Sequence, residues 1–272
     1  MTTAAEALRD ATAQLEGEWA RSDAELLMAH ALGVSRSDLL LRHMRDPVPG
    51  GFEALLDRRL AHEPIAYILG SAEFYGRRFT VTPDVLIPRG DSETVVAAAL
   101  EACPAPRRVL DCGTGSGALL LTILAERPKA SGVGIDRAPA ALAVARENAA
   151  ALGLGERADL HEADWAQAHW ANDLGTFDLV IANPPYVEDD APLDPSVRDF
   201  EPAGALFAGP NGLDQYRILV PQLSSLLETG GVAVLEIGAN QAESVAAIAR
   251  ESGFAVQVRK DLANRDRALI LT

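Results

Sequence analysis

Val109-Leu-Asp111-Cys-Gly113-Thr-Gly115-Ser-Gly117-Ala118 reads as a buried strand that breaks into a glycine-rich turn and restarts as a helix. Glycine adopts the positive φ angles of such a turn and lets a ligand approach the main chain. The helix start presents unpaired N–H groups beside it. The spacing satisfies G-x-G-x-x-A, so NAD and S-adenosylmethionine are both candidate ligands of the loop. Farther on, Asp136 closes the next apolar run, where a carboxylate holds ribose hydroxyls in either cofactor class.

Outward from the loop, apolar runs at Val133–Ile135, Ala158–Leu160, Leu179–Ala182 and Val232–Ile237 alternate with helical stretches such as Pro139–Leu152. That alternation predicts an α/β fold, a Rossmann-like, mostly parallel sheet with helices on both faces. Phe254–Val258 and Ala268–Leu271 lack an intervening helix, which favours an antiparallel edge. Residues 1–75 read instead as an N-terminal helical bundle domain. Ser22 stands as a cap, Gly33 as a stop, Ser35 or Ser37 as a second start, and Phe52–Leu60 as an amphipathic run. Between Phe74 and Leu86 the period changes: Phe79, Val81 and Val85 alternate with polar residues, and Gly76 and Pro83-Asp84 are turn signals. The expected division is a helical domain over 1–75, a β-hairpin linker over 76–90 and an α/β domain over 91–272.

Composition narrows the function. The 272 residues are 48% hydrophobic with 39 acids against 24 bases, a formal net charge of −15, which excludes a mainly disordered or fibrous chain. Proteins that grip nucleic acid through phosphates carry basic surfaces, so no direct nucleic-acid partner is expected. No apolar run is long enough to span a bilayer and the N-terminus lacks a signal-peptide pattern, so no membrane partner is expected either. Two cysteines, Cys103 and Cys112, make no disulfide framework, which fits a cytoplasmic location. His30, His43, His62, His161 and His169 show no ligand spacing, and no metal is expected.

The chemistry is chosen by Asn183-Pro184-Pro185-Tyr186, at the end of the fourth expected parallel strand. The proline rings fix both φ angles, so nearby carbonyls point in set directions. The Asn183 side-chain oxygen and the Pro184 carbonyl then accept both hydrogens of a planar –NH2 group, and Tyr186 supplies a flat face against the substrate. An amide or adenine amino nitrogen is a poor nucleophile because its lone pair is delocalised. Fixed acceptors aim it at an electrophilic methyl group and stabilise the positive charge that develops on it. Methyl transfer from a sulfonium donor follows, and hydride transfer does not.

Further motifs occur in order: Arg58-Arg59, Glu63-Pro-Ile-Ala-Tyr-Ile-Leu-Gly70, Glu73-Phe74-Tyr75, Leu86-Ile-Pro88-Arg89 with Glu93, Phe200-Glu201-Pro202, Leu235-Glu-Ile-Gly238, and Lys260-Asp261 with Asp266-Arg267. Together they resemble the release factor glutamine methyltransferases, the PrmC or HemK family, over nearly the whole chain. The resemblance implies a class I methyltransferase domain behind the helical domain and hairpin linker, with S-adenosylmethionine as cofactor. It implies contacts to that cofactor from Gly113, Thr114, Gly115, Ser116, Gly117, Asp136, Trp165 and Asn183. Asn183, Pro184, Pro185 and Tyr186 would hold the substrate glutamine, which by resemblance lies in the Gly-Gly-Gln loop of peptide chain release factors. Gly90 and Ser92 depart from the family's more usual Pro and Thr. Trp165 also reads as a packing anchor, and Arg89 as a surface arginine.

Competing readings share parts of this pattern. A glutamine methyltransferase acting on a ribosomal protein would keep the Asn183–Tyr186 core, and Glu63–Gly70 resembles the release factor group better. An adenine-N6 methyltransferase solves the same amino-group problem on a flipped base, and the acidic charge weighs against it. A non-catalytic module with a degenerate cofactor site is opposed by the intact motifs. An NAD dehydrogenase lacks an evident hydride-transfer acid. The long segment between Val187 and Gly212 suits a lid or a substrate-docking role.

Overall fold

The computed structural model describes residues 2–15 and 17–272. They form two compact units, one of the residues up to Ser71 with Leu193–Phe200, the other of Ala72–Pro192 and Glu201–Thr272.

The first unit packs the helices Ala4–Gln14, Ala20–Leu32, Phe52–Leu60 and Ile65–Leu69 around Leu8, Leu27, Met28, Leu39, Phe52, Leu56 and Ile68. Gly33, at φ 68°, ends the second helix as its sequence position implies, and Ser35 Oγ accepts the Asp38 N–H at 3.0 Å to start the next turn. Ser22 is not a cap. The helix begins at Ala20, and the acids that follow Ser22 are drawn into ion pairs instead. Asp23 accepts from Arg59 at 2.7 Å, and buried Glu25 lies between Arg21 and Arg36 at 2.8 and 2.6 Å. A polar cluster that resembles a cap in sequence is here a pair of buried acids answered by arginines that reach in from the surface.

A hairpin follows, β1 (Ser71–Phe74) and β2 (Arg77–Thr80), which lies earlier than the 76–90 expected from the alternation. Tyr75 and Gly76 both take positive φ, 51° and 69°, giving a two-residue turn whose twist matches the strands it joins. Val81 and Val85 are buried without belonging to a strand, and that burial produced the misleading period.

The main sheet holds β3 (Arg108–Cys112), β4 (Ser131–Asp136), β5 (Ala158–Glu162), β6 (Phe177–Ala182), β7 (Leu227–Glu236), β8 (Val256–Lys260) and β9 (Asp266–Leu271) in the order β5-β4-β3-β6-β7-β9-β8. Pairing is parallel from β5 to β7, and β9 runs antiparallel between β7 and β8, as the missing last helix implies. The helices Glu93–Ala102 and Ala118–Glu126 seal one face over Val109, Leu179, Ile181 and Val234. Asp214–Leu219 and Ala242–Glu251 cover the other over Leu110, Val180, Ala233 and Leu235. Strands buried on both faces read as continuous apolar runs, which is why they were legible.

Glu93, Glu126, Glu147 and Asn148 tie the hairpin to the helical layer of the sheet, and Asn148 does so with the most bonds. Asn148, buried on the helix Pro139–Ala151, accepts the Thr80 N–H at 2.7 Å and donates to the carbonyls of Thr80 at 3.0 Å and Ser116 at 2.9 Å. Asn148→Leu keeps the bulk and leaves an N–H and two carbonyls without this partner. It should lower the unfolding free energy by about 2 kcal/mol or more, read as a drop in the urea midpoint. An unchanged midpoint would mean that the hairpin is held by other contacts.

Candidate active site

Strand order reverses around β3, which has β4 on one side and β6 on the other, so the carboxyl ends of these strands open a crevice. The register fills it. Cys112 pairs with Ile135 and with Ala182, so Gly113, Asp136 and Asn183 leave the sheet side by side. Asp136 pairs with Glu162 on β5, which brings Trp165 to the same end.

These residues line one cleft of about 250 Å³: Gly113, Thr114, Gly115, Ser116, Asp136, Trp165, Asn183 and Pro185. Gly117, Pro184 and Tyr186 are not among the lining residues. Gly117 begins the helix at φ 82°, a backbone angle that favours glycine, and a Cβ there would also come within 2.8 Å of Leu121 Cδ1. Gly115, at φ 53°, faces open space. Asp136 accepts the N–H of Gly115 on one oxygen and that of Ala138 on the other, both at 2.9 Å, leaving lone pairs for hydroxyls. Trp165 lies so close to Gly113 that a Cβ there would meet its ring at 3.1 Å, and its Nε1 donates to Gln215 at 2.9 Å. An open glycine turn, a carboxylate and a fixed indole face suit a nucleoside carrying a ribose diol and a flat base.

Arg89 also lines the cleft and is held in place by an ion pair with buried Glu201, which accepts the Ile87 N–H at 3.2 Å on its other oxygen. Arg137 closes the same wall through a 2.9 Å bond to the Gly204 carbonyl. The segment between Val187 and Gly212 is therefore divided. Its 193–200 stretch belongs to the first unit, and Pro202, Gly204 and Ala205 line the cleft in the second.

Two buried carboxyls stand behind the cleft wall rather than in it. Burial pushes Asp111 up to about 7; the Thr114 hydroxyl, donating at 2.8 Å, opposes this and the Asp136 charge adds to it. Burial likewise pushes Glu236 up to about 7, against the stabilising pull of Ser92, Arg267 and the Tyr186 phenol, which donates to it at 3.2 Å. The Tyr186 phenol is itself pushed up by burial and by the Glu236 charge.

Known proteins match both parts of the chain. A family model described as the PrmC N-terminal domain matches residues 6–70, and one described as a methyltransferase domain matches residues 106–258. A release factor glutamine methyltransferase from Cereibacter sphaeroides is 44% identical over 97% of this chain and 96% of its own length. The chain belongs to the release factor glutamine methyltransferases. A second such methyltransferase, from Rhodospirillum rubrum, is 44% identical over 92% of this chain and 78% of its own length. In fold, a solved ribosomal protein L11 methylase from Lactobacillus delbrueckii subsp. bulgaricus superposes with a TM-score of 0.50 at 22% identity, over 68% of this chain and 79% of that one. The sheet is thus that of the class I methyltransferase fold.

Gln215, Arg137 and Glu201 gain their places at this methyltransferase's cleft from tertiary structure. Only Glu201 carried a sequence signal, in Phe200-Glu201-Pro202. The Asp111 shift makes a prediction. An unfolded aspartate titrates near ~4, so the folded chain binds the extra proton between there and about 7. Asp111 therefore stabilises fully below that window and loses its contribution as pH rises through it. Asp111→Asn removes this dependence, so its melting temperature relative to wild type should climb from about pH 4 to about pH 7 and then level off. A constant difference would mean that Asp111 stays ionised.

Proposed function

We propose that the chain transfers the methyl group of S-adenosylmethionine to the side-chain amide nitrogen of the glutamine in the Gly-Gly-Gln motif of peptide chain release factors. The observation that carries this reading is the pairing of Cys112 with Ala182, which starts the glycine turn and the Asn183–Tyr186 turn from adjacent strands of one sheet. In this reading Gly113–Gly117 would hold the cofactor, with Asp136 at its ribose and Trp165 at its base. When bound, it supplies an electrophilic methyl carbon on a sulfonium.

The chain's own residues then do two things. Asn183 Oδ1 and the Pro184 carbonyl accept the two amide hydrogens, which orients the nitrogen and stabilises its developing positive charge. Tyr186 and Pro185 hold the flat amide group by contact. Methyl transfer to that nitrogen would leave the cofactor as S-adenosylhomocysteine, and the methylated nitrogen would release one proton to solvent. No general base is assigned: Asp111 and Glu236, the carboxyls raised to about 7, do not line the cleft.

The match of residues 6–70 to the PrmC N-terminal domain supports a release factor over a ribosomal protein as the partner. The net charge of −15 speaks for a protein partner rather than nucleic acid, and no helix of the described residues is long and apolar enough to cross a membrane. We place the activity in the cytoplasm, where release factors act; both cysteines are free thiols.

Incubation with methyl-labelled S-adenosylmethionine and a bacterial release factor should label the Gly-Gly-Gln glutamine, located by peptide mass spectrometry. Asn183→Ala should lower kcat/KM by about 100-fold or more. Label on another residue, or on duplex DNA, would refute the substrate assignment.

A further inference from the structure

The two prolines of Asn183-Pro-Pro-Tyr186 fix their own φ angles but not the peptide plane that follows Tyr186 or the tilt of its ring. Both are fixed from β7 and the turn beyond it. Gln241 Nε2 donates to the Tyr186 carbonyl at 3.0 Å and to the Gly212 carbonyl at 3.2 Å, while its Oε1 accepts the Gly238 N–H at 3.0 Å. One side-chain amide thus ties three stretches of backbone together.

The glycines make room for this arrangement. A Cβ on Gly212, at φ 62°, would run into the Tyr186 carbonyl. A Cβ on Gly238 would sit 2.8 Å from Gln241 Oε1 and 3.4 Å from Tyr186 Cδ2. At the other end of the residue, the Tyr186 phenol donates to Glu236 at 3.2 Å. Glu236 is buried, and its own backbone carbonyl accepts from the Tyr216 hydroxyl at 2.7 Å. None of Glu236, Gly238, Gln241 and Tyr186 lines the cleft, so the first three reach its contents through the turn that Tyr186 ends, whose Asn183 and Pro185 do line it, and Glu236 also through Ser92.

We propose that Glu236, Gly238 and Gln241 form a positioning clamp on Tyr186 that fixes the Asn183–Tyr186 turn for methylation of an amide nitrogen. The inference rests on the reading of that turn as the amide-holding site. Gln241 sets the peptide plane and Glu236 the ring tilt, so the acceptors for the amide hydrogens do not swing away from the attack line. Displacements near 1 Å are enough to slow such a step by about 100-fold.

Three measurements on the full chain test the clamp. Hydrogen exchange reads the turn directly, because the Val187 N–H is bonded to the Leu206 carbonyl at 2.9 Å. In Gln241→Ala the segment Asn183–Asp189 should exchange about tenfold faster, with the glycine turn unaffected. Assays with a release factor should give kcat lower by about 10- to 100-fold, with KM within about threefold of wild type. Titration calorimetry should give unchanged affinity for S-adenosylhomocysteine. Glu236→Gln, which keeps an acceptor for the phenol, should lose less kcat than Glu236→Leu.

Unchanged exchange and unchanged kcat in Gln241→Ala would overturn the clamp. So would loss of S-adenosylhomocysteine binding together with faster exchange in the glycine turn, since the bonds would then serve the whole domain. Equal losses in the two Glu236 variants would remove Glu236 from it. If the wild-type chain labels no release factor glutamine, the substrate reading fails while the exchange result still decides the clamp.

Discussion

The parallel register of β3 with β4 and β6 is the constraint on which the rest depends. Cys112 opposite Ile135 and Ala182 means that three chain exits are adjacent, and the glycine turn, the acid and the Asn183–Tyr186 turn each begin at one of them. A slip of one residue along β6 would reverse the faces of Leu179, Val180 and Ile181, which pack on alternate sides of the sheet. The apolar burial that stabilises the sheet therefore also sets the spacing of the site. Packing and chemistry are specified by the same residues.

Polar groups are used differently in the two units. In the first, buried Asp23 and Glu25 are each paired with arginines, Asp23 with Arg59 and Glu25 with Arg21 and Arg36. In the second, Asp111 and Glu236 are buried with only partial satisfaction, and one oxygen of each lacks a hydrogen-bond partner. Carboxyls in that state favour the proton, and each stands one step behind a residue of the proposed site: Thr114 for Asp111, Tyr186 for Glu236.

What was legible in the sequence follows from locality. The strands of the parallel sheet are buried on both faces and announce themselves as apolar runs. The glycine turn and the Asn183–Tyr186 turn are contiguous motifs whose residue types are demanded by backbone angles and hydrogen-bond acceptors. The hairpin was misplaced because Val81 and Val85 are buried without strand pairing, whereas the turn itself rests on Tyr75 adopting a φ usually left to glycine or asparagine. Ser22 misled because Asp23 and Glu25 answer arginines that lie as far away in sequence as Arg59. Gln215, Arg137 and Gln241 are ordinary polar residues until folding brings them to Trp165, Gly204 and Tyr186.

Asn148 carries a consequence for motion. By bonding to Thr80 as a neighbouring strand would, and to Ser116 with the same nitrogen, it joins the hairpin and the glycine turn into one mechanical body. Phe74, at the end of the first hairpin strand, is part of the cleft wall. Hairpin and glycine turn both contribute to the cleft lining, so the bonds of Asn148 hold Phe74 and the turn at a fixed separation across it.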